Sequence, residues 1–301
     1  MLNIESISAL HELLGYEKPK HPLITLINLD EIHPAEEYFG VPFTLNFYMI
    51  SLKNNPECEL KYGRQYYDFS EGSLIFTAPG QVLTAGESSA RYKTNGWMLC
   101  VHSDLLRDSS LWDKMDNYTF FEYAANEALH LSESEKEIVT GIVKLIQTEY
   151  SQNIDVYSRD LLVSNLEVLL NYSKRFYGRQ FITRTTVSKD TIAKFEILLK
   201  EQCSAEMIAR SGIPSVKGFA QVMGYSPNYL SDMLKKETGK TTQEHIKSQV
   251  LQLAKTLLVT TNEPVYHIGY ILGIEHPASF TKFFKTQTGI SPVSFRKQRT
   301  V

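Results

Sequence analysis

Residues 219–241 read FAQVMGYSPNYLSDMLKKETGKT, and residues 268–291 read IGYILGIEHPASFTKFFKTQTGIS. In each copy a short apolar segment ends at a glycine, Gly224 or Gly273. A small residue, Ala220 or Gly269, lies one helical turn before that glycine. A small residue allows a second helix to approach closely, and a glycine accepts the positive φ of a tight turn. The repeated pattern, within Phe219 to Ser294, predicts two helix-turn-helix motifs.

The second helix of each motif has its own start and end signals. A capping residue followed by proline begins it, at Ser226-Pro227 and at His276-Pro277, because proline suits the first position of a helix. Each copy ends in Thr-Gly, at positions 238–239 and 288–289. A linking helix is expected between the motifs, from Ile246 to Thr260. Its apolar stripe consists of Ile246, Val250, Leu253, Leu257 and Leu258.

The C-terminal third of the chain resembles a known family. The spacing of the two motifs, the QLAKTLL core of the linking helix and the closing GISPVSFRK resemble the tandem-motif DNA-binding domain of the AraC/XylS transcriptional regulators. One helix-turn-helix pattern is a weak signal, since many helical hairpins share it, but two copies at this separation are specific. The alternative is a plain α-helical hairpin domain.

Length and composition set the broad class. With 301 residues, 43% hydrophobic and 22% charged, the chain is expected to form two ordinary globular domains. No apolar run is long enough to span a bilayer, and the N-terminus lacks the pattern of a secretory signal, so a cytoplasmic protein without membrane contact is expected. Cys58, Cys100 and Cys203 have no metal-binding spacing and are interpreted as reduced, buried thiols.

The net charge of −3 hides an asymmetry between the two halves of the chain. From residue 181 onward there are 16 Lys and Arg against 9 Asp and Glu, a net charge of +7, and the remainder carries −10. A basic half joined to an acidic half is typical of a nucleic-acid-binding domain fused to a different module. The predicted domains are residues 1–178 and 179–301.

The first domain is predicted to be rich in β-structure. Apolar and aromatic runs broken by turn residues indicate short strands of a small antiparallel barrel or sandwich. These runs are HPLITLINLDEI at 21–32, FTLNFYMISL at 43–52, CELKYGRQYYDF at 58–69 and GWMLCV at 96–101. The pattern FxxGxLxFxxPGQ at 69–81 resembles the cupin-like sensor domain of the same regulators, which implies a small-molecule effector in the barrel.

The histidine pattern argues against a metal site or an enzyme. No HxH occurs, and Leu83 stands two residues after Gln81, where the family often has histidine. His33, His102 and His130 are therefore interpreted as ordinary surface or core residues, and neither a metal nor another cofactor is predicted.

Helical periodicity begins at Leu131 and is expected to continue to about residue 178. Ser132 and Glu135 form a capping box, and Ile138, Ile142, Leu145 and Ile146 would share one face. A second helix, Val156 to Tyr177, is predicted to follow. Its heptad-like positions, Leu162, Leu166, Leu169 and Phe176, could form the seam of a homodimer or pack within one chain. Residues 178–186 are predicted to be a linker, and a helix from Lys189 to Gln202 would open the basic domain.

Two reading helices on one rigid domain would enter successive major grooves, about 34 Å or 10 bp apart. Their apolar positions are Leu230, Met233 and Leu234 in the first and Phe280, Phe283 and Phe284 in the second. The remaining positions are candidates for base reading, and the resemblance places groove-facing residues there. They are Asn228, Ser231, Asp232 and Lys235, and then Ala278, Ser279, Thr281 and Lys282. Asn can pair with adenine, Asp with cytosine and Lys with guanine.

A second set of residues is predicted to bind phosphates, which sets affinity rather than sequence preference. The basic candidates are Lys236, Lys240, Lys247, Lys285, Arg296 and Lys297. The helix starts at Ser215, Thr242 and Ser291 could add backbone N–H donors.

Together these patterns predict an α+β protein with two domains. The first is a cupin-like β-barrel with a helical dimerisation region at about 131–178, and the second is an all-α domain with two helix-turn-helix motifs. The expected function is sequence-specific regulation of transcription under control of a small molecule, with duplex DNA, RNA polymerase and a second copy of the chain as partners. Two alternatives stay open: a constitutive DNA binder whose barrel only dimerises, and a cupin-like enzyme with a DNA-binding tail.

Overall fold

The computed structural model of the chain describes residues 2–33, 35, 41–54, 72–84, 95–124, 127–183 and 185–299, and the side chains of 84, 185–189 and 299 are not described. Two units are distinguished by their internal contacts, Met1–Gln180 and Phe181–Val301. The strand predicted at 58–69 and the thiol of Cys58 lie outside the described residues.

The strands of the first unit form two sheets. They are β1 (Leu2–Ile4), β2 (Ile24–Asn28), β3 (Pro42–Leu45), β4 (Phe47–Lys53), β5 (Ser73–Thr77), β6 (Val82–Thr84), β7 (Gly96–His102) and β8 (Leu129–His130). One sheet has the order β1-β3-β6 and the other β2-β7-β4-β5-β8. The pair β1-β3 is parallel, and the other described pairs are antiparallel.

The predicted barrel is not seen in the described ranges, where the strands form two sheets and no closed barrel. The run at 43–52, interpreted as one strand, contains β3 and β4, which belong to different sheets. The chain changes sheet at Asn46, whose backbone N–H donates to the carbonyl of Ile4 at 3.0 Å.

Both faces of β4 are packed, because successive side chains of a strand point to opposite faces. On one face, Phe47 belongs to an apolar cluster that links the two sheets to α1 (Ile7–Leu13). On the other face, Tyr48 and Ile50 line a small apolar gap together with Leu166 and Leu170.

The two long helices of the first unit, α3 (Glu133–Tyr150) and α4 (Ser158–Thr183), follow a short helix α2 (Ser103–Leu106). The predicted capping box of Ser132 and Glu135 is present at the start of α3. The buried face of α3 differs from the prediction, since Val139 and Val143 are buried whereas Ile138 and Leu145 are 39% and 58% exposed. Because apolar residues occur on both faces of α3, the helical periodicity of the sequence does not determine which face is buried.

The predicted dimer seam on α4 is wrong, because its residues lie inside one chain. Leu162, Leu166, Leu169 and Phe176 are 1%, 3%, 0% and 5% exposed. Leu166 lies over the five-stranded sheet, and the ring of Tyr177 stacks on Phe120 at 5.5 Å. The heptad-like spacing therefore reflects the intramolecular cover of the sheet, the alternative that the sequence left open.

The linker predicted at 178–186 is helical in its described part, because α4 extends to Thr183 and α5 begins at Thr185. Hydrogen bonds within the first unit hold α4 at Arg179 and Gln180. Arg179 Nε donates to Glu135 Oε1 at 3.0 Å, and Gln180 accepts from the His130 backbone N–H at 2.8 Å. These contacts override the low helix propensity of Gly178.

The second unit is helical in its described part. Its helices are α5 (Thr185–Gln202), α6 (Ala205–Ser211), α7 (Val216–Met223), α8 (Pro227–Thr238), α9 (Thr242–Thr260), α10 (Val265–Ile271), α11 (Pro277–Thr288) and α12 (Pro292–Arg299). The pairs α7-α8 and α10-α11 are the two predicted motifs, and α9 is the predicted linking helix. None of the described helices is both long and apolar enough to cross a membrane.

Candidate nucleic-acid interface

The turns of both motifs have the predicted geometry. Gly224 has a φ of 76° and Gly273 a φ of 70°, in the left-handed region that favours glycine. Ala220 is buried before the first turn. Gly269 is buried before the second, where an added Cβ would lie 3.1 Å from the Cβ of Phe280. These small residues allow α8 and α11 to pack closely on the preceding helices.

The reading helices α8 and α11 begin and end where the sequence predicts. Ser226 Oγ accepts from the Tyr229 backbone N–H at 3.3 Å, and a proline follows the cap in both helices. His276 occupies the second cap position without a side-chain capping bond to any described residue. Both helices end at a left-handed glycine, Gly239 or Gly289, each with a φ of 79°.

The apolar faces of the reading helices confirm the prediction with one exception. The buried residues of α8 and α11 include Leu230, Met233, Leu234, Phe280 and Phe284. Phe283, expected to be in the core, is only partly buried. The stripe of α9 runs through Ile246, Val250, Ala254 and Leu258, while Leu253 and Leu257 are partly buried.

The two reading faces differ in how open they are. On α11, the candidates Ala278, Ser279, Thr281 and Lys282 are all exposed. On α8, Lys235 is exposed, whereas Asn228 and Asp232 are half-buried and each already has an interaction partner.

Ser231, predicted to read bases from α8, turns toward α9 instead. Its Oγ donates to Thr242 Oγ1 at 3.2 Å and accepts from the Thr242 backbone N–H at 3.3 Å. This pair joins the reading helix to the start of α9. The outward orientation expected for Ser231 is therefore wrong.

Thr242 is a second correction, because it is fully buried and follows the true cap, Thr241. The carboxylate of Glu244 accepts from the Thr241 backbone N–H at 2.7 Å and from its hydroxyl at 2.9 Å. These hydrogen bonds with Thr241 lower the pKa of Glu244. A carboxylate at this helix start repels a phosphate, which disfavours phosphate binding at the start of α9.

The other two predicted helix starts carry no carboxylate. Ser215 Oγ accepts from the Gly218 backbone N–H at 3.1 Å at the start of α7, and Ser291 Oγ accepts from Ser294 at 3.1 Å before α12. The first turn of each helix lacks Asp and Glu. Both starts stay compatible with phosphate binding.

Arg296, predicted to bind phosphate, is held inside the domain. Its Nε donates to the carbonyl of Leu258 at 3.0 Å, and its Nη2 donates to the carbonyl of Glu263 at 2.7 Å. These bonds connect α12 to the end of α9 and the segment after it. The lysines predicted for phosphates are all exposed: Lys236, Lys240, Lys247, Lys285 and Lys297.

Sequence reasoning missed His245, which supports the end of α8. Its Nε2 lies 2.8 Å from Thr238 Oγ1, and its ring contacts Phe195 of α5 edge-on at 5.4 Å. Burial, and then the charge of Lys240, lower the pKa of His245. No local pattern marks this residue, because these two partners come from two other helices, α8 and α5.

Within the described residues, no group of three or more His, Cys, Asp and Glu side chains could hold a metal ion. His130 is buried, and its Nδ1 lies 3.0 Å from Ser73 Oγ. Cys100 and Cys203 are buried free thiols, and burial raises the pKa of Cys203 to about 11.

Several known proteins are similar to this chain, most of them over the helix-turn-helix region. A family model described as a helix-turn-helix domain matches residues 219–298. The uncharacterized HTH-type transcriptional regulator YobQ of Bacillus subtilis is 35% identical over 82 residues, which are 27% of this chain and 34% of that protein. The arabinose operon regulatory protein of Escherichia coli is 21% identical over 294 residues, 94% of this chain and 92% of that protein.

A solved AraC-type transcriptional regulator from Chromobacterium violaceum is 20% identical and covers 38% of this chain and 96% of its own, with a TM-score of 0.33. The first three curated relatives are matched over 34%, 10% and 29% of their own length. Residues 219–298 of the chain thus form a helix-turn-helix domain of the AraC type.

Proposed function

We propose that this protein is a sequence-specific transcriptional regulator that reads duplex DNA with α8 and α11. The observation that carries the proposal is the pair of motifs, each with a left-handed glycine in its turn and a reading helix whose apolar face is buried. The side chains left on the outer face of α11, Ser279, Thr281 and Lys282, are exposed and can donate hydrogen bonds.

Charge supports the same proposal. The segment from residue 181 onward carries +7, and its exposed lysines include Lys236, Lys240 and Lys285 on or beside the reading helices. Binding of phosphates by these lysines would release counterions, so affinity would fall as salt rises. Base contacts from α8 and α11 would then supply the preference for one sequence.

The test is selection of a duplex from a random pool with the full chain, followed by fluorescence anisotropy on the selected and a scrambled duplex at several salt concentrations. We expect binding that weakens steeply with salt and a preference for the selected duplex of about a thousandfold or more. Folded protein that binds neither duplex, or both equally, would overturn the proposal.

The acidic N-terminal unit is the proposed sensor, a cupin-like domain that binds a small molecule. Support comes from the FxxGxLxFxxPGQ pattern and from the opposite charges of the two halves. The effector would shift the population between two states of the DNA-binding domain. The size of this shift would be set by the difference between the effector's affinities for the two states. A homodimer and a contact with RNA polymerase stay predictions that belong to this function.

One observation favours a constitutive regulator as the second candidate. In the described part of the first unit, the space between the two sheets is filled by the apolar cluster around Phe47, which also includes Leu45 and Met98. Such packing leaves little room for a ligand at that place. Thermal-shift screening of the full chain against a metabolite library separates the two candidates, since a saturable shift that also changes DNA affinity requires a sensor.

A further inference from the structure

The two reading helices can be compared position by position, because each starts at a proline. When Pro227 is paired with Pro277, Tyr229 corresponds to Ser279 and Asp232 to Lys282. The second residue of each pair is exposed, whereas Tyr229 is 3% exposed and Asp232 is half-buried. The first reading helix is therefore covered at positions where the second is open.

An aromatic residue from the last turn of α4 provides part of this cover. Phe181 is 5% exposed, and its ring contacts Tyr229 edge-on with centroids 5.1 Å apart. Tyr229 in turn stacks on Tyr225 at 5.4 Å, and the Tyr225 hydroxyl lies 3.4 Å from Thr191 Oγ1 on α5. The first turn of α8 is thus held by residues that precede the motif in the chain.

The place of this contact matters for DNA reading, because the N-terminal residues of a recognition helix are those that reach base edges. We propose that Phe181 holds α8 in a covered state, which must open before this helix can enter the major groove, while α11 is ready to bind. This inference rests on the proposed function. It makes the end of α4 an autoinhibitory element for one of the two readers.

A purely structural role for Phe181 predicts the opposite effect on DNA binding. If Phe181 only stabilised the fold of α8, its removal would lower the melting temperature and weaken DNA binding together. If it holds a covered state, its removal favours the open state and tightens DNA binding. An edge-to-face aromatic pair, together with the area it buries, should change the equilibrium constant between the covered and the open state by about tenfold, or about 1.4 kcal/mol.

The experiment uses the full chain with Phe181→Ala and, as a matched control, Ile182→Ala at the adjacent, 50% exposed position. The probe is a duplex selected from a random pool by the wild-type chain. Affinity is measured by fluorescence anisotropy, and contacts are mapped by methylation interference. We expect Phe181→Ala to bind about tenfold more tightly and to gain major-groove contacts about 10 bp from those of the wild type, with the control unchanged.

A second variant, Phe181→Leu, keeps an apolar side chain and removes the ring contact, so it tests the idea if Phe181→Ala does not fold. We expect Phe181→Leu to bind the duplex more tightly than the wild type, but with a smaller increase in affinity than Phe181→Ala. If both variants fold and bind the duplex as tightly as the wild type or more weakly, this inference is overturned and the proposed function stays intact. Failure of the wild type itself to bind duplex DNA overturns both.

Discussion

Gly269 is the position where one methyl group tests how the second motif is held together. An alanine Cβ there would lie 3.1 Å from the Cβ and 3.2 Å from the Cγ of Phe280, closer than ordinary packing allows. In the first motif the equivalent pair is Ala220 and Leu230, both buried. At corresponding positions, the first motif thus has alanine and leucine where the second has glycine close to phenylalanine.

The magnitude follows from two opposing effects. Overpacking costs about 1–3 kcal/mol, and replacing a helical glycine by alanine returns about 1 kcal/mol. Gly269→Ala should therefore lower the free energy of unfolding by about 0–2 kcal/mol. Phe280→Leu should cost about 1–2 kcal/mol as an ordinary large-to-small change. The double variant recreates the pair of the first motif and should cost at least about 1 kcal/mol less than the sum of the two single changes.

The assay is urea unfolding of the full chain followed by far-ultraviolet circular dichroism, fitted for the transition of the second unit. Gly218→Ala is the matched control, because its Cβ would meet only Ser215 Oγ, at 3.4 Å. It should be neutral or slightly stabilising. Additive effects of Gly269→Ala and Phe280→Leu would refute the packing argument.

Three further predictions concern DNA binding and the stability of the second unit. Lys282→Ala should reduce the preference for one base pair of the site by about 1–3 kcal/mol. Lys285→Ala should instead weaken binding to all duplexes and lower the salt slope by about one. Both effects are measured by fluorescence anisotropy on a panel of single-base variants of the duplex. The lowered pKa of Glu244 stabilises the fold above the ordinary glutamate pKa, and this contribution is lost as pH falls through the lowered value. Glu244→Gln should then unfold at a lower urea concentration than the wild type at pH 7, and this difference should shrink as pH falls below the ordinary glutamate pKa. A difference in denaturation midpoints that stays constant with pH would contradict this. Arg296→Ala should lower the melting temperature and leave the salt slope of DNA binding unchanged. Lys297→Ala should leave the melting temperature unchanged and lower the salt slope.

Several features of the second unit could be predicted from sequence because they depend on neighbours within one or two helical turns. Left-handed turns need glycine, so Gly224 and Gly273 mark them wherever the rest of the chain lies. Capping works in the same way, as Ser226 shows by bonding to a backbone N–H three residues later.

Predictions failed where a side chain had a partner far along the chain. Ser231 and Arg296 have the residue types of DNA contacts, yet their hydrogen bonds go to Thr242 and to the carbonyls of Leu258 and Glu263. Nothing within a few residues of either position indicates these bonds, because the helices that supply the partners meet only after folding.

The sequence by itself determined the two motifs, their turns, the buried faces of their reading helices and the basic charge of the unit that carries them. Only the tertiary structure decided that leucines of α4 pack on a sheet of the same chain and that the ring of Phe181 contacts Tyr229 of α8. The physical reason is that periodicity shows which side chains must leave water, and the arrangement of packed elements selects the surface that receives them.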